Sequence, residues 1–348
     1  MPSSGYYIQS YAQDMAIFQT KAAWIWLAAL MAFLLVFPLF ADDYILNLAN
    51  LVGLSIIAAL GLNLLIGVTG LISLGHAAFL AIGGYATAIM DNSTGLPFWV
   101  ILPAAGLLAA SIGAIVGIPS MRIKGLYLAI TTLAFSYVVE HVIYRWESLT
   151  KGDRGMFVSP CMLDTFAFDD YFKFYFLMLV FVIMAAMFAK NVTRSKVGRA
   201  FISIRDNYLA AEILGIDVAY FKVLSFAVSS FYAGVAGGLF TYYLSYISPE
   251  NFTLLVSVEY IAMIIIGGMG SILGSILGPL FVILLPELIR FAFSPLIQSF
   301  PQLIHILSDF KIGLYGILLI LFLIFEPKGL NGIWQKAKAY WKAWPYSY

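Results

Sequence analysis

The sequence predicts an all-α integral membrane protein that crosses the bilayer about ten times. Of its 348 residues, 62% are hydrophobic and only 11% are charged, whereas soluble domains are about 45–50% apolar and about 25% charged. With 19 Lys and Arg and 18 Asp and Glu residues, the chain has too few charges to cover a soluble surface of this size. Lipid must therefore surround much of a single polytopic domain over residues 1–348.

The hydrophobic segments have the length that a bilayer requires. Its hydrocarbon core is about 30 Å thick, so a spanning helix needs about 17 to 25 mostly apolar residues. The sequence predicts ten spans, with the third, eighth and tenth short for a full crossing, at residues 22–40, 45–67, 76–90, 98–119, 126–144, 171–188, 221–244, 256–268, 272–291 and 312–325. We expect the first to stay as an anchor, because no small-residue cleavage pattern follows it.

The distribution of cations predicts the orientation, since cytoplasmic loops are enriched in Lys and Arg. With both termini cytoplasmic, 13 of the 19 cations fall inside, namely Lys21, Arg122, Lys124, Lys190, Arg194, Lys196, Arg199, Arg205, Lys222, Lys328, Lys336, Lys338 and Lys342. The segment 189–220 is then a cytoplasmic loop. The segment 145–170, which also carries five acidic residues, is predicted to be periplasmic.

Glycines occur at helical spacing inside the predicted spans. The pairs Gly113 and Gly117, and Gly234 and Gly238, lie four residues apart, a spacing that lets helices approach closely in lipid. A denser run begins at Gly267 and includes Gly270 and Gly274. It predicts a broken or re-entrant segment, because glycine weakens helices and broken helices line cavities in transporters.

A second glycine-rich interruption follows the second predicted span, at Gly67, Gly70 and Gly75. Matching interruptions in two halves of a chain are typical of transporters built from inverted repeats. We therefore consider two inverted repeats as one hypothesis, with helix packing as the alternative. Polar and glycine residues in or beside the spans are candidates for a pathway or gate: Asn63, Gly70, Ser73, His76, Thr131, Glu259, Gly267, Gly270 and Gly274. Interfacial solvation explains Glu259 about as well.

The longest basic loop contains an amphipathic helix, predicted at residues 198–215. Apolar residues recur at intervals of three and four in Phe201, Ile204, Tyr208, Ala211 and Leu214. Such a helix could dock into a groove of a partner protein. The alternative is a helix that rests on lipid headgroups.

Several classes of function are disfavoured. No phosphate-binding GxxxxGK[ST] motif occurs, so the chain is not expected to bind ATP through a P-loop. Cys161 is the single cysteine, which rules out an internal disulfide. The three histidines accompany no metal-binding motif, and no nucleophile and base pair indicates an enzyme. A net charge of +1 gives no field for nucleic acid.

Four stretches together resemble the LivM-type membrane permeases of branched-chain amino acid ABC importers, with a match that extends from about residue 44 to 332. They are LGLNLLIGVTGLISLGHAAF at 60–79, GLYLAITTLAF at 125–135, VGRAFISIRDNYLAAEILGI at 197–216 and IIGGMGSILGSILGP at 265–279. The resemblance implies a permease in a bacterial or archaeal cytoplasmic membrane. It also implies that no cofactor binds this chain, with ATP held by partner subunits.

The resemblance also implies partners and a coupling site. The partners would be a LivH-like sister permease, two ATPases of the LivG and LivF type, a periplasmic amino-acid-binding protein and membrane lipid. Ala210, Ala211 and Gly215 match the coupling motif of importers, although Leu209 replaces its leading Glu and Glu212 follows instead. Arg199 and Arg205 would flank the docked helix.

Three alternatives remain open at the level of the sequence. A urea or short-amide permease of the same family would have the same apolar spans. A self-sufficient ion-coupled carrier is disfavoured because no chain of buried acidic residues suggests an ion relay. A membrane enzyme or structural subunit lacks a cluster of reactive side chains.

Overall fold

A computed structural model describes residues 21–292 apart from 124, 164 and 165, together with residues 313, 316–317, 320–322, 324–326 and 328–343. The helices are α1 Lys21–Val36, α2 Asp43–Asn63, α3 His76–Thr94, α4 Phe98–Gly117, α5 Leu126–Arg145, α6 Glu147–Thr150, α7 Tyr171–Arg194, α8 Lys196–Ile213, α9 Val218–Leu244, α10 Leu254–Gly267, α11 Ile272–Ala292 and α12 Gly329–Ala343. A π-helical turn, Leu64–Val68, extends α2, and 3₁₀ turns occupy Phe37–Leu39, Pro119–Met121, Gly152–Arg154 and Pro249–Phe252.

Seven helical segments in the described part of the chain are long and apolar enough to cross a membrane: Asp43–Val68, Phe98–Gly117, Leu126–Arg145, Tyr171–Arg194, Val218–Leu244, Pro249–Gly267 and Ile272–Phe291. They coincide with the second span and with the fourth to ninth spans predicted from sequence. The apolar helix Trp24–Leu39 covers the first and is shorter. The chain is therefore an all-α integral membrane protein.

The other parts of the topology stay predictions. The third predicted span forms α3, which has the length but is not among the seven apolar segments. The tenth, at 312–325, lies mostly outside the described residues. The total of ten spans, the inverted repeats and the side of the termini are accordingly not established.

Helix α9 lies at the centre of the bundle and packs against α2, α3 and α4. Its contact with α3 depends on glycine: a methyl group on Gly83 would collide with the backbone of Gly234, and one on Gly237 with the backbone of Leu80. Helix α3 is buried along most of its length by these neighbours. Because protein rather than lipid surrounds it, α3 does not need the hydropathy of an isolated span.

The predicted packing role of the two spaced glycine pairs is confirmed. A methyl group on Gly113 would collide with Ser230, and one on Gly117 would press on Phe226. Gly238 lies against Thr87 and Leu102 in the same way. Each glycine thus allows one helix to approach a neighbour more closely than a side chain would permit.

The segment 145–170 folds over one end of the bundle. Strand β1, Met156–Phe157, pairs antiparallel with β4, Tyr246–Ile247, and the short strands β2, Met162–Leu163, and β3, Phe166–Ala167, pair with each other. Cys161 lies between them and is 1% exposed. Burial raises the pKa of its thiol well above the usual value. Whether this segment is periplasmic is a prediction.

Candidate functional site

The candidate site begins where α2 ends, in a π-helical turn. The backbone N–H of Leu71 donates to the carbonyl of Leu65, and the hydroxyl of Thr69 donates to the carbonyl of Leu64 at 2.9 Å. Gly70 then takes a positive φ of 77°, a conformation that glycine adopts at little cost. The chain leaves the helix there and runs without regular structure until α3 starts at His76.

The second predicted break lies between α10 and α11. Gly268 and Gly270 have φ values of 114° and 78°, so the chain leaves the helix within four residues of Gly267. Methyl groups on Gly267 and Gly274 would each collide with the backbone around the other residue. The glycine run therefore forms a sharp, tightly packed turn between two helices.

Asn63 joins the two breaks. Its side-chain Oδ1 accepts a hydrogen bond from the backbone N–H of Gly270 at 2.7 Å, and its Nδ2 donates to the carbonyl of Ser271 at 3.1 Å. The Asn63 side chain is 2% exposed. One buried amide thus satisfies two backbone groups that the helix break leaves without helical partners.

Arg205, from the loop predicted to be cytoplasmic, reaches the same place. Its Nη1 donates to the carbonyl of Gly67 at 3.0 Å, and its aliphatic stem lies so close to Gly70 that a methyl group there would press on it. Its other nitrogens donate to Asp206. We name Asn63, Gly67, Gly270, Ser271 and Arg205 the break junction, because they connect both helix breaks to α8.

Helix α8 differs from the single helix predicted over 198–215. It begins at Lys196, with the Ser195 hydroxyl as its N-cap, and Asn207 interrupts it with φ −161° and ψ 102°. The side-chain oxygen of Asn207 accepts from the backbone N–H groups of Leu209 and Ala210, both at 3.1 Å. The prediction of one continuous helix is therefore wrong, because this asparagine ends one helical segment and caps the next.

The segment after Asn207 carries the predicted coupling motif. Ala210, Glu212 and Gly215 are exposed, whereas Ala211 is 1% exposed and faces the bundle. Gly215 ends the segment with a φ of 83°. Three apolar side chains project outward from the same segment: Leu209, Ile213 and Leu214, with exposures of 56%, 86% and 79%. Uncovered apolar groups at the tip of a loop are typical of a surface that a partner protein covers.

A buried lysine contacts this segment. Lys222 is 4% exposed, its Nζ donates to the carbonyl of Ser120 at 3.2 Å, and it lies 5.8 Å from the ring centre of Tyr208. The sequence interpretation counted Lys222 only as a cytoplasmic charge and missed this contact. The exposed segment is therefore held to the turn after α4 as well as to the break junction.

The polar pathway candidates near α3 form hydrogen bonds in and beside the extended segment that runs from Gly70 to His76. The imidazole Nε2 of His76 donates to the carbonyl of Ala58 at 3.1 Å, and the hydroxyl of Ser73 accepts weakly from the backbone of Gly75 at 3.4 Å. Thr132 and Ser257, which the sequence interpretation missed, accept from the backbone N–H groups of Leu74 and Ala77, both at 2.9 Å.

Two other candidates lie away from this cluster. Thr131 is half-buried on α5, where its hydroxyl donates to the carbonyl of Tyr127 at 2.9 Å. Glu259 is half-buried on α10.

Arg199 is exposed, and its guanidinium donates to the carbonyl of Arg194 at 3.2 Å. Its predicted place beside a docked partner stays a prediction.

The site is a set of hydrogen bonds and packing contacts that connect separate parts of the chain. Within the described residues, no group of three or more His, Cys, Asp or Glu side chains is placed to hold a metal ion. What the geometry provides instead is a link from an exposed apolar segment, through one arginine, to two helix breaks inside the bundle.

Residues 44–323 match the family model described as the permease component of the branched-chain amino acid transport system. This match covers well over half of the chain. The chain belongs to this family. The matched range includes both helix breaks and α8, so the break junction lies inside the family domain.

Named relatives agree with the family. The high-affinity branched-chain amino acid permease LivM of Escherichia coli is 30% identical over 88% of this chain and 74% of its own length. A probable LivM of Methanocaldococcus jannaschii is 26% identical over 80% of this chain and 90% of its own length. A probable LivH of the same organism is 25% identical over 82% and 91%. No solved structure matches the chain.

The family match classes the chain as a multi-pass membrane permease component rather than an enzyme. Relatives of both the LivM and LivH types are similar to it, which is consistent with a pair of related permeases in one transporter.

Proposed function

We propose that this chain is the transmembrane permease subunit of an ATP-binding-cassette importer that moves branched-chain amino acids inward across the cytoplasmic membrane. The observation that carries the proposal is the exposed apolar segment Leu209, Ile213 and Leu214 on α8, which is tied through Arg205 to the break junction. The LivM relatives, which are named as branched-chain amino acid permeases, supply the substrate class.

In this proposal one of two ATPase subunits of the LivG and LivF type receives the exposed segment in a surface groove. Apolar helical residues in a groove of a partner are a common mode of recognition. Movement of the ATPases on ATP binding would displace α8, and Arg205 would pass that displacement to the carbonyl of Gly67 and the adjoining breaks. The ATP is held by the partners, so this chain needs no cofactor.

A LivH-like sister permease would complete the substrate path. Helix α5 supports this arrangement because Glu140 and His141, near its C-terminal end, line an open cleft of about 520 Å³ together with Tyr137, Val138, Val142 and Tyr144. Charged groups that face lipid are costly, so this face suits water or another subunit. A periplasmic amino-acid-binding protein would deliver the substrate at the opposite end from α8.

Reconstitution tests the proposal. Proteoliposomes that contain this chain, the sister permease and both ATPases should take up leucine only when ATP and the loaded binding protein are supplied. Uptake by this chain alone, driven by a proton or sodium gradient, would favour the ion-coupled carrier instead. Uptake of urea or acetamide without leucine would keep the importer but replace the substrate.

A further inference from the structure

We propose that α12 is a surface helix that binds the anionic headgroups of the membrane leaflet on the side of α8. Over Gly329–Ala343 the helix contains Lys336, Lys338 and Lys342 and no acidic residue. The apolar residues recur at helical spacing in Leu330, Ile333, Trp334, Ala337 and Trp341. A helix with one apolar and one cationic face is the form that lies in a membrane interface.

The apolar face of α12 starts inside the protein and continues beyond it. Leu330 packs on the cluster formed by Ala262, Met263, Ile266 and Val282. Further along, Ile333 and Trp334 are 47% and 58% exposed, and Tyr340 is 65% exposed. Trp and Tyr are the residues enriched where a membrane meets water. The bilayer surface is therefore the apolar environment into which this face extends.

The contacts of α12 show at which end of the bundle it lies. The carbonyl of Lys328 and the side chain of Asn331 lie against Gly268, and Gly329 lies against the carbonyl of Ile266. The same break contacts Arg205 of α8 through Gly270. Helices α8 and α12 therefore lie at the same end of the bundle.

That end is the cytoplasmic one in the proposed function, on which this step rests. The cytoplasmic leaflet is the one that carries a negative surface potential from anionic lipids. Lysines on the two borders of the apolar face can extend toward headgroups while their stems stay in the interface. Lys336 also pairs with Glu326, a contact between the helix and the residues that precede it.

Two alanines allow a matched test. Ala337 lies on the apolar face, and Ala339, two residues and about 200° further around the helix, lies on the opposite face. Both are exposed. Full-length protein with Cys161→Ala would carry one cysteine, from Ala337→Cys or Ala339→Cys, labelled with an environment-sensitive fluorophore. Lipid nanodiscs with a headgroup-depth quencher would contain phosphatidylcholine alone or mixed with phosphatidylglycerol, without ATPases, nucleotide or substrate.

We expect quenching at position 337 but not at 339, stronger in the anionic discs and reduced by 0.5 M salt (about a 4 Å screening length). Replacing Lys338 and Lys342 by glutamine, which leaves the Lys336–Glu326 pair intact, should lower the ratio of membrane-bound to free helix by roughly tenfold or more. Equal signals at 337 and 339 would overturn the proposal, as would no quenching at 337. Quenching at position 337 that changes neither with phosphatidylglycerol nor with the lysine substitutions would overturn the anionic specificity. Transport plays no part in this readout, so failure here leaves the importer proposal untouched.

Discussion

The side-chain oxygen of Asn63 accepts a hydrogen bond from the backbone N–H of Gly270 at 2.7 Å, across 207 positions of sequence. This bond and its partner bond to Ser271 make one buried amide the connection between the end of α2 and the start of α11. The two helix breaks are thus parts of one structure. The contact gives the two breaks a defined position relative to each other, and the bond from Arg205 to Gly67 connects them to α8.

Replacing Asn63 by Leu should impair both stability and transport. The leucine keeps the branching and the number of heavy atoms but leaves the N–H of Gly270 and the carbonyl of Ser271 without this partner, at a cost of about 1–3 kcal/mol for each buried group. Thermal aggregation of the detergent-solubilised protein and leucine uptake measure the two effects. Asn92→Leu is the control, since the Asn92 amide bonds two backbone carbonyls at an exposed position far from the junction. Equal uptake by both variants would contradict the role of the junction.

Replacing Arg205 by Gln should uncouple ATP hydrolysis from uptake. The substitution removes the charged hydrogen bond to Gly67, of a kind that contributes about 1.5–3 kcal/mol, but leaves the exposed apolar segment available to the ATPases. In the reconstituted complex, we expect ATPase activity to persist while leucine uptake falls at least fivefold. Arg199→Gln is the comparison of equal charge change, because the hydrogen bond of Arg199 goes to the carbonyl of Arg194 in its own loop rather than to the break junction. A similar loss in both variants would indicate a general effect of charge.

Gly215 offers a test of backbone conformation without steric interference. A methyl group there would meet no atom within 4 Å, yet the φ of 83° is unfavourable for a β-branched residue. Gly215→Val should therefore distort the end of α8 and reduce coupled transport, whereas Gly215→Asn should retain more activity because asparagine tolerates this conformation better. Gly95, with a φ of 60° and equally open surroundings, provides the control variant Gly95→Val. Normal coupled transport by Gly215→Val would remove this residue from the coupling site.

Gly274 should tolerate no side chain. Even a methyl group would collide with the carbonyl oxygens of Gly267 and Gly268, so Gly274→Ala should lower the yield of folded protein and Gly274→Leu should lower it further. Size-exclusion chromatography of membrane extracts measures this yield. Gly316→Ala, at an open position without a positive φ, should behave as the parent protein. A stable, active Gly274→Leu variant would show that this turn is less tightly packed than described.

Cysteine labelling can distinguish a water-filled path from lipid. The native Cys161 should react slowly with thiol reagents near neutral pH, because it is buried and its thiol pKa is raised. In a Cys161→Ala background of the assembled complex, Tyr137→Cys and His141→Cys on α5 should react with a membrane-impermeant reagent. Leu107→Cys and Ile115→Cys, on the exposed apolar face of α4, should not. Labelling of both helices to the same extent would contradict a path along α5.

The sequence predicted those features that local patterns determine. Segment length and hydropathy placed seven of the spans, and the spacing of Gly113 and Gly117 predicted close packing. The glycine runs marked both breaks. In these cases the physical cause lies within a few residues of the chain.

Features that depend on contacts between distant residues were missed. The bond from Arg205 to Gly67 joins positions 138 residues apart, and no periodicity in either segment indicates it. The burial of Lys222 depends in the same way on Ser120. The interruption at Asn207 is different, because an asparagine shortly before Leu209 and Ala210 is a recognisable N-cap and could have been identified from the sequence.

The contact between Gly83 and Gly234 has a consequence for biogenesis. Helix α3 depends on protein neighbours for its surroundings, and its closest glycine contact is with α9, which is synthesised about 150 residues later. During translation α3 therefore lacks this packing partner, in the membrane or beside the insertion machinery, until α9 has emerged. A nascent chain that stops before Val218 lacks this neighbour, so quality-control proteases should recognise α3 as incompletely assembled.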